Sequence, residues 1–290
     1  MSVKIIQERL ESYKCASAQA EELALREITQ EVALAALSRT DFYKAAAFHG
    51  GTCLRIFYGL NRFSEDLDFM LKRPDSRFNL DAYLKNMAVE FEAYGYKLEI
   101  ADRSQADNAV KKAFLKDDSL GKVLQLSHLK IDRSSRKIRI KIEVDTNPPA
   151  ESGFESKFMD FPFTFSVTVQ DQPSLFAGKV AALLCREYTK GRDWYDFIWY
   201  TSRKTPINFN FLAAALKQTG PWRDQAVAAD KNWCVAQLRQ KIHSVNWDKA
   251  RADVRPFINP REIDSLALWE REFFLDRLEN YNKNINDQRP

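Results

Sequence analysis

The chain has 290 residues, of which 45% are hydrophobic and 12% aromatic, enough for a packed core and too many for a disordered chain. Its formal net charge of +4 is too small to indicate nucleic-acid binding by itself, because that function depends on how basic residues cluster. The 4 cysteines form no CxxC pair, and the sequence contains neither a signal-peptide core nor an apolar run of transmembrane length. We therefore expect a cytoplasmic protein with no zinc site, no disulfide framework and no membrane contact.

Helices and short strands alternate in the first part of the sequence. An apolar stripe predicts a helix over residues 3–37. A short apolar run at residues 45–48 predicts a strand that ends at two glycines, and residues 53–58 predict the helix after it. Further elements are predicted at residues 67–71 (strand), 81–94 (helix) and 96–100 (strand).

Strands dominate the middle of the chain, and helices follow them. Period-two alternation predicts strands at residues 123–129, 137–145 and 163–169. Helices are predicted at residues 179–188, 194–200, 211–217, 232–243 and 262–281. The sequence therefore predicts an α+β protein, with a mixed-sheet domain and N-terminal helices over residues 1–170 and an α-helical domain over residues 171–290.

The most informative segment joins a glycine turn to a strand with two carboxylates. Gly50, Gly51 and Thr52 precede a predicted helix, where backbone N–H groups and the helix dipole favour a phosphate. Asp66 and Asp68 are two residues apart on a strand, so both side chains project from the same face. Two ionised carboxylates that lie close together repel one another unless a cation lies between them, and Mg²⁺ binds oxygen ligands of this kind. These features predict a site for metal-dependent nucleotidyl transfer.

A third carboxylate from a neighbouring strand would complete the metal site. Residues 137–145 alternate apolar and charged side chains and end in two acids. Glu143 is the first candidate because it lies inside the predicted strand, and Asp145, beside the turn that follows, is the second. In the loop before Asp66, Ser64 is interpreted either as a cap or as a phosphate contact. Arg62 is interpreted as a site residue, with an ion pair to Glu65 as the alternative.

A second charged cluster lies in the predicted helical domain. Lys179, Arg186 and Lys190 follow seven- and four-residue steps, which predicts that they share one helix face. Lys179 and Arg186 suit nucleotide phosphates, although a solvated helix residue is the plain interpretation of Lys179. Asp193 and Asp196 are either functional acids or residues of a helix start that pair with Arg192.

Two further groups of residues have structural interpretations. The aromatic residues from Trp194 to Tyr200 predict packing between helices, with nucleobase stacking as the alternative. Lys111, Lys112 and Lys116 are interpreted as a solvated loop, with RNA contact as the alternative.

The motifs at residues 50–69, 141–149 and 179–196 together resemble the AbiEii/AbiGii nucleotidyltransferase-like toxins. These toxins belong to the DNA polymerase β-like nucleotidyltransferase superfamily, whose signature is a glycine turn before an Asp-x-Asp or Asp-x-Glu strand. Thr52 stands where the wider superfamily often has serine, so a hydroxyl is kept. The resemblance implies a polymerase β-like mixed-sheet domain followed by a helical domain.

The resemblance also implies a function and a set of site residues. It implies that the chain is the toxin of a two-gene toxin–antitoxin or phage abortive-infection system, with an antitoxin encoded nearby. Such toxins transfer a nucleotide from an NTP, and in some relatives the acceptor is the 3′ end of tRNA. It places Mg²⁺ on Asp66 and Asp68 with help from Glu143. Residues matching Ser64, Asp66, Lys179 and either Asp193 or Asp196 are implied to matter for activity.

Other functions remain open from the sequence. The acceptor could be a small molecule or a protein instead of RNA, or the chain could bind an NTP without transferring it. An RNA acceptor predicts a basic channel leading to Asp66, whereas a small acceptor predicts a closed pocket.

Overall fold

The computed structural model describes residues 2–97, 99–102, 110–117 and 138–285. The strand predicted at residues 123–129 lies outside this part of the chain. Two compact units can be distinguished. The first comprises residues 1–53, 65–148 and 155–169, and the second comprises residues 54–64, 149–154 and 170–290.

The helices of the first part of the chain begin and end at recognisable signals. The helix predicted over residues 3–37 is two helices, because Lys14 has a positive φ of 48° and the Ser17 hydroxyl accepts the N–H of Ala20 to begin a new helix. The elements are α1 (Ser2–Ser12), α2 (Ala18–Ser38), α3 (Phe42–Ala45), α4 (Gly50–Tyr58) and α5 (Asp81–Ala93).

Seven strands of the described residues form one mixed sheet. They are β1 (Ala46–His49), β2 (Asp66–Leu71), β3 (Glu99–Asp102), β4 (Val110–Asp117), β5 (Ile138–Asp145), β6 (Phe154–Met159) and β7 (Phe165–Gln170). Their order across the sheet is β3-β4-β5-β2-β1-β7-β6. The central strand β2 is antiparallel to β1 and parallel to β5, so β2 and β5 present side chains to a common face in register.

Three strands differ from the sequence prediction. β4 and β6 were not predicted, and the strand predicted at residues 96–100 is β3, which begins later. β4 carries two adjacent lysines, so its local pattern is weak. Its antiparallel pairing with all eight residues of β5 stabilises it as a strand, and this pairing cannot be read from the local sequence.

The second unit is mainly helical. Several of its helices begin after an aspartate or asparagine whose side chain accepts a backbone N–H of the first turn, as Asp171 does from Ser174. Trp194, Phe197 and Tyr200 are buried, which confirms core packing for these members of the aromatic run. The helices are α6 (Gln172–Cys185), α7 (Gly191–Ser202), α8 (Phe209–Gln218), α9 (Lys231–Ser244), α10 (Trp247–Val254) and α11 (Arg271–Ile285).

The helix boundaries of this unit correct two predictions. α6 ends at Cys185, because Arg186 has an extended backbone, and Lys190 is the residue before α7. Lys179, Arg186 and Lys190 therefore do not share one helix face. The helix predicted over residues 262–281 is a 3₁₀ segment, Pro260–Leu268, followed by α11, and α10 was not predicted. No helix in the described ranges is long and apolar enough to cross a membrane.

Candidate active site

Three carboxylates meet on neighbouring strands of the sheet. Asp66 and Asp68 lie on β2, and Glu143 lies on β5 as the register partner of Asp68. One oxygen from each carboxylate lies within 4.8 Å of the other two, and all three residues are partly exposed. The parallel pairing of β2 with β5 thus creates a cluster of hard oxygen ligands, which is the ligand type that Mg²⁺ binds.

Asp66 experiences the electrostatic repulsion within this carboxylate triad. Burial, followed by the negative charge of Asp68, raises the pKa of Asp66 to about 6, and the positive charge of Lys141 offsets these effects only in part. The ionised form of Asp66 is therefore disfavoured in the metal-free protein. A bound cation would reverse this effect, so the electrostatics of the triad favour a cation at this position.

Two lysines neutralise Glu143. Lys141 Nζ lies 2.7 Å from one of its carboxylate oxygens, and Lys112 Nζ lies 3.0 Å from the other. Burial would raise the pKa of Glu143, but the hydrogen bonds from the two lysines outweigh it and the pKa lies below its ordinary value. Lys111 and Lys112 belong to β4, so the interpretation as a solvated loop is wrong.

Lys112 and Lys141 are thus site residues that the sequence analysis did not assign. The signal for Lys141 is present, since it precedes Glu143 by two residues on the same strand face. The signal for Lys112 is absent, because β4 was not predicted.

Asp145, the alternative third ligand, has a different role. Its Oδ1 accepts the backbone N–H of Asn147 at 2.9 Å in the turn that ends β5. Its register partner on β2 is Met70. The structure therefore groups Glu143, and not Asp145, with Asp66 and Asp68.

The glycine turn forms the beginning of α4. Gly50, Gly51 and Thr52 are its first three residues, so the helix starts earlier than the sequence predicts. Backbone N–H groups in a first helical turn have no intrahelical acceptor and suit an anion. Thr52 is fully buried, and its hydroxyl donates to the backbone carbonyl of Asp66 at 2.5 Å. This side chain therefore fixes the start of β2, and the backbone N–H is the group of Thr52 that suits a phosphate.

A second charged cluster lies in the interior of the second unit. Arg62 donates Nε and Nη2 to the two carboxylate oxygens of Asp196, both at 2.7 Å. Lys179 Nζ lies 2.8 Å from Asp196 Oδ2 and 2.7 Å from Asp193 Oδ1. Arg62 is 3% exposed and Asp196 is 0% exposed. Lys179 is therefore a buried ion-pair partner of two acids, and the plain interpretation of it as a solvated helix residue is wrong.

The contacts of Arg62 differ from the ion pair with Glu65 that the sequence offered as an alternative. Its predicted ion pair with Glu65 does not form, since the guanidinium contacts Asp196 and the backbone carbonyl of Phe63. Glu65 instead lies 3.5 Å from Arg26. Ser64 is half-buried in the same loop as Arg62.

Asp193 differs from Asp196 in one acceptor atom. Both oxygens of Asp196 accept charged donors, whereas Asp193 Oδ2 is buried and has no hydrogen-bond donor among the described residues. Arg186 Nη1 lies 3.4 Å from this oxygen. Burial raises the pKa of Asp193, but the charges of Lys179 and Arg186 outweigh it and hold the pKa below its ordinary value.

Comparison with known proteins agrees with the motifs and the geometry. The profile of a family described as "Nucleotidyl transferase AbiEii toxin, Type IV TA system" matches residues 32–277. The chain belongs to this family. It is a nucleotidyltransferase of the toxin type, and the predicted resemblance is confirmed.

Solved structures share the fold of this AbiEii family member. JHP933 from Helicobacter pylori is 19% identical with a TM-score of 0.51, and the match covers 92% of this chain and 95% of that chain. MenT4, a nucleotidyltransferase toxin from Mycobacterium tuberculosis, is 16% identical with a TM-score of 0.51, and the match covers 98% of this chain and 99% of that chain. No curated protein matches the chain. The predicted α+β nucleotidyltransferase fold is confirmed.

The donor set of the AbiEii family member fits a divalent cation. Three carboxylate oxygens within 4.8 Å of one another need only small side-chain movements to hold one Mg²⁺ ion, whose metal–oxygen distance is about 2.1 Å. Nucleotide phosphates would add further oxygen ligands, because Mg²⁺ in such sites is shared between protein carboxylates and substrate. The triad is therefore suited to hold a metal ion together with a nucleotide.

Gly50 allows α4 to begin directly beside Asp68. Its φ is +78°, and a Cβ atom would lie 2.7 Å from Asp68 Oδ2. Gly50→Ala should therefore lower nucleotidyl transfer at least tenfold by displacing the carboxylate, in addition to a strain of about 1–2 kcal/mol. Gly59→Ala is the matched control, since φ is +74° there and no atom lies within 4 Å of the added Cβ. Melting temperature and transfer rate measured on both variants separate strain from displacement, and equal transfer rates would refute the displacement of Asp68.

Proposed function

We propose that this AbiEii-type toxin transfers a nucleoside monophosphate from an NTP to the 3′ hydroxyl of an RNA, specifically the acceptor end of a tRNA, with Mg²⁺ at Asp66, Asp68 and Glu143. The observation that carries the proposal is the convergence of these three carboxylates beside the first turn of α4. Membership of a family of nucleotidyltransferase toxins supports the reaction type. The tRNA acceptor rests on the family resemblance.

Backbone groups and side chains of the chain have distinct proposed roles. The N–H groups of Gly50, Gly51 and Thr52 suit a phosphate of the nucleotide, and Ser64 adds a hydroxyl donor. When bound, Mg²⁺ would neutralise charge on the attacking and leaving oxygens and lower the pKa of the acceptor hydroxyl.

Residues of the second charged cluster have proposed roles as well. Lys179 and Arg186 are assigned to the phosphates of the NTP through the family resemblance. Lys179 is 14% exposed, and Arg186 is 32% exposed. Arg62 has a supporting role, because its guanidinium is bound by Asp196. Asp193 is the acid of this cluster that pairs with both Lys179 and Arg186.

The reaction is a single displacement at the α-phosphorus of the NTP. The acceptor hydroxyl oxygen forms a bond to this phosphorus, and its proton passes to solvent. The bond between the α-phosphorus and the oxygen that bridges it to the β-phosphorus breaks, and pyrophosphate leaves with the electron pair. Asp66, Asp68 and Glu143 orient the reacting groups by fixing the position of the metal, and the first turn of α4 orients the phosphates.

The biological setting follows from the same family. A type IV toxin–antitoxin family suggests an antitoxin partner and an NTP substrate. We propose that the toxin acts in the cytoplasm, that its antitoxin is encoded nearby, and that modification of tRNA stops translation during phage infection.

The test is direct labelling of acceptors. Purified protein is incubated with total cellular RNA, Mg²⁺ and each α-³²P-labelled NTP in turn. We expect label in RNA of tRNA size that is removed by Asp66→Asn. No label with any NTP, from protein shown to be folded, would refute the RNA acceptor and direct the search to protein or small-molecule acceptors.

A further inference from the structure

A groove with aromatic walls lies in the second unit, and its lining includes none of the charged residues Arg62, Lys179 and Asp196. It is formed by α7, the 3₁₀ segment Pro260–Leu268 and α11, and its volume is about 310 Å³. Four rings line it: Tyr195, Trp199, Trp269 and Phe273. Small-molecule sites begin at roughly this volume, about 300 Å³, and are lined mainly by aromatic and apolar side chains with a few polar groups.

Two guanidinium groups lie against these rings. Arg203 lies 4.2 Å from the centroid of the Trp199 ring, and Arg277 lies 5.3 Å from the centroid of the Phe273 ring. Arg277 donates to the Ser202 hydroxyl at 3.2 Å, and in the described part of the chain neither arginine has a carboxylate within ion-pair distance. The groove therefore combines flat apolar walls with two guanidinium groups that are not held in an ion pair by any described residue.

The acid of the groove is already hydrogen-bonded. Glu262 accepts the hydroxyl of Tyr195 at 2.6 Å. This hydrogen bond holds the carboxylate against one aromatic wall. The carboxylate keeps its negative charge, so the two arginines and one glutamate that line the groove leave it with a net positive charge.

Trp199, in the aromatic wall, has an unsatisfied polar group. The residue is 6% exposed, and its indole Nε1–H is buried without an acceptor among the described residues. A buried donor without an acceptor costs about 1–3 kcal/mol, and most buried donors are satisfied. This nitrogen is itself not exposed, so a ligand acceptor would reach it only after a shift of the Trp199 side chain.

We propose that the groove binds a nucleotide of single-stranded RNA, with the base stacked on the aromatic wall and the phosphate at Arg203 and Arg277. Every nucleobase has a flat π-face, so stacking on aromatic and guanidinium groups serves any sequence. The phosphate supplies the negative charge that the two arginines lack. The proposal rests on the proposed function, because this nucleotide would belong to the RNA acceptor.

The charge of the groove favours RNA over an apolar peptide. Leu268 at its edge is 59% exposed and would suit an apolar side chain of a protein partner. Such a partner would leave both guanidinium groups without a counter-charge, whereas each RNA phosphate provides one. The base and its phosphate together match the aromatic wall and the arginines.

The test measures RNA binding without catalysis. A short fluorescein-labelled single-stranded RNA is titrated with the full chain carrying Asp66→Asn, without NTP, and anisotropy is recorded over a range of salt concentrations. Arg203→Gln/Arg277→Gln removes the two groove charges. Arg255→Gln/Lys217→Gln is the matched control, since both side chains are exposed and neither lines the groove.

The groove variant should bind the RNA at least tenfold more weakly, while the control stays within about threefold. The plot of log affinity against log salt should also flatten by about 0.7 for each lost phosphate contact. An equal loss in both variants would refute a groove site and indicate general charge attraction. Unchanged affinity in the groove variant would also refute it and leave an apolar side chain of a protein partner as the ligand.

The labelling assay separates this proposal from the proposed function. Loss of RNA binding in the groove variant, with no transfer of label to RNA by the parent protein, would support the groove and refute the RNA acceptor. Full label transfer by the groove variant would refute the groove and leave the proposed function intact.

Discussion

Asp66→Asn should lower nucleotidyl transfer at least a thousandfold while the fold persists. The substitution keeps the shape of the side chain but removes one of three carboxylates that lie within 4.8 Å of one another. A metal ion that neutralises charge on the reacting oxygens contributes several kcal/mol to the reaction, and each 1.36 kcal/mol corresponds to about tenfold in rate. Transfer is measured with the labelled NTP identified in the acceptor assay.

Asp145→Asn is the matched control for Asp66→Asn. Asp145 lies on the same face of β5 as Glu143, and an asparagine at this position can still accept the N–H of Asn147. We expect its transfer rate to stay within about threefold of the parent rate. A similar loss in both variants would contradict the assignment of the metal site to Asp66, Asp68 and Glu143.

The same variant should stabilise the metal-free protein. Burial and the charge of Asp68 raise the pKa of Asp66 to about 6 in the folded state, above its ordinary value, so ionisation opposes folding. This opposing effect is absent below pH 4 and grows as the pH rises to about 6. In the presence of a chelator, Asp66→Asn should therefore raise the free energy of unfolding by about 1 kcal/mol at pH 7, allowing for partial exposure, and by nothing near pH 4.

Magnesium should make the parent protein more stable than Asp66→Asn, which is the reverse of the order expected without metal. Added Mg²⁺ should raise the melting temperature of the parent protein and leave that of Asp66→Asn unchanged, because ligand binding stabilises the state that binds it. An equal rise in both proteins would place the metal elsewhere. This readout requires no substrate, so it tests the triad even if the acceptor remains unidentified.

Local periodicity predicted the two carboxylate strands, with Glu143 and Asp145 as alternatives for the third carboxylate. Asp66 and Asp68 share a face because strand side chains alternate, and the apolar alternation of residues 137–145 placed Glu143 on a strand. The observed register of Asp68 with Glu143 brings the two predictions together. Each of these features depends on residues within a few positions of one another, which is the range over which sequence patterns report structure.

Contacts between distant parts of the chain could not be predicted in this way. Arg62 and Asp196 are 134 residues apart, and no periodicity links a loop arginine to a helix acid at that distance. Lys112 was missed for the same reason, since its strand exists through pairing with β5. The end of α6 was also not predicted. The sequence of residues 179–188 has a helical pattern, but the helix ends at Cys185 and Arg186 has an extended backbone.

Replacing the two aspartates of the second charged cluster should separate stability from catalysis. Asp196→Asn leaves Arg62 and Lys179 without the carboxylate that binds both of them in the interior. Breaking a buried ion pair by removing one partner costs about 3–5 kcal/mol, so the melting temperature should fall by about 10 °C. Thermal unfolding followed by circular dichroism measures this change.

Asp193→Asn should affect transfer more than stability, the reverse of what we expect for Asp196→Asn. Lys179 keeps its ion pair with Asp196 in this variant, so we expect the melting temperature to fall by only about 3 °C. Transfer should fall at least a hundredfold, because Asp193 pairs with both Lys179 and Arg186, the two cations assigned to the phosphates of the NTP. Asp264→Asn, an exposed acid on the 3₁₀ segment, provides the same chemical change and should alter neither quantity.

The pair of measurements decides which acid of the Arg-Asp-x-x-Asp segment is functional. A variant of Asp196 that keeps the parent melting temperature but loses transfer would reverse the two roles. The present assignment follows from hydrogen bonding, since a carboxylate with both oxygens bound by Arg62 and Lys179 has little capacity left for a substrate. Arg62 lies four residues before Asp66 in the chain, so the bidentate pair with Asp196 also anchors the loop that leads into the carboxylate strand. Transfer by Asp196→Asn should stay near the parent rate at low temperature, where the variant remains folded.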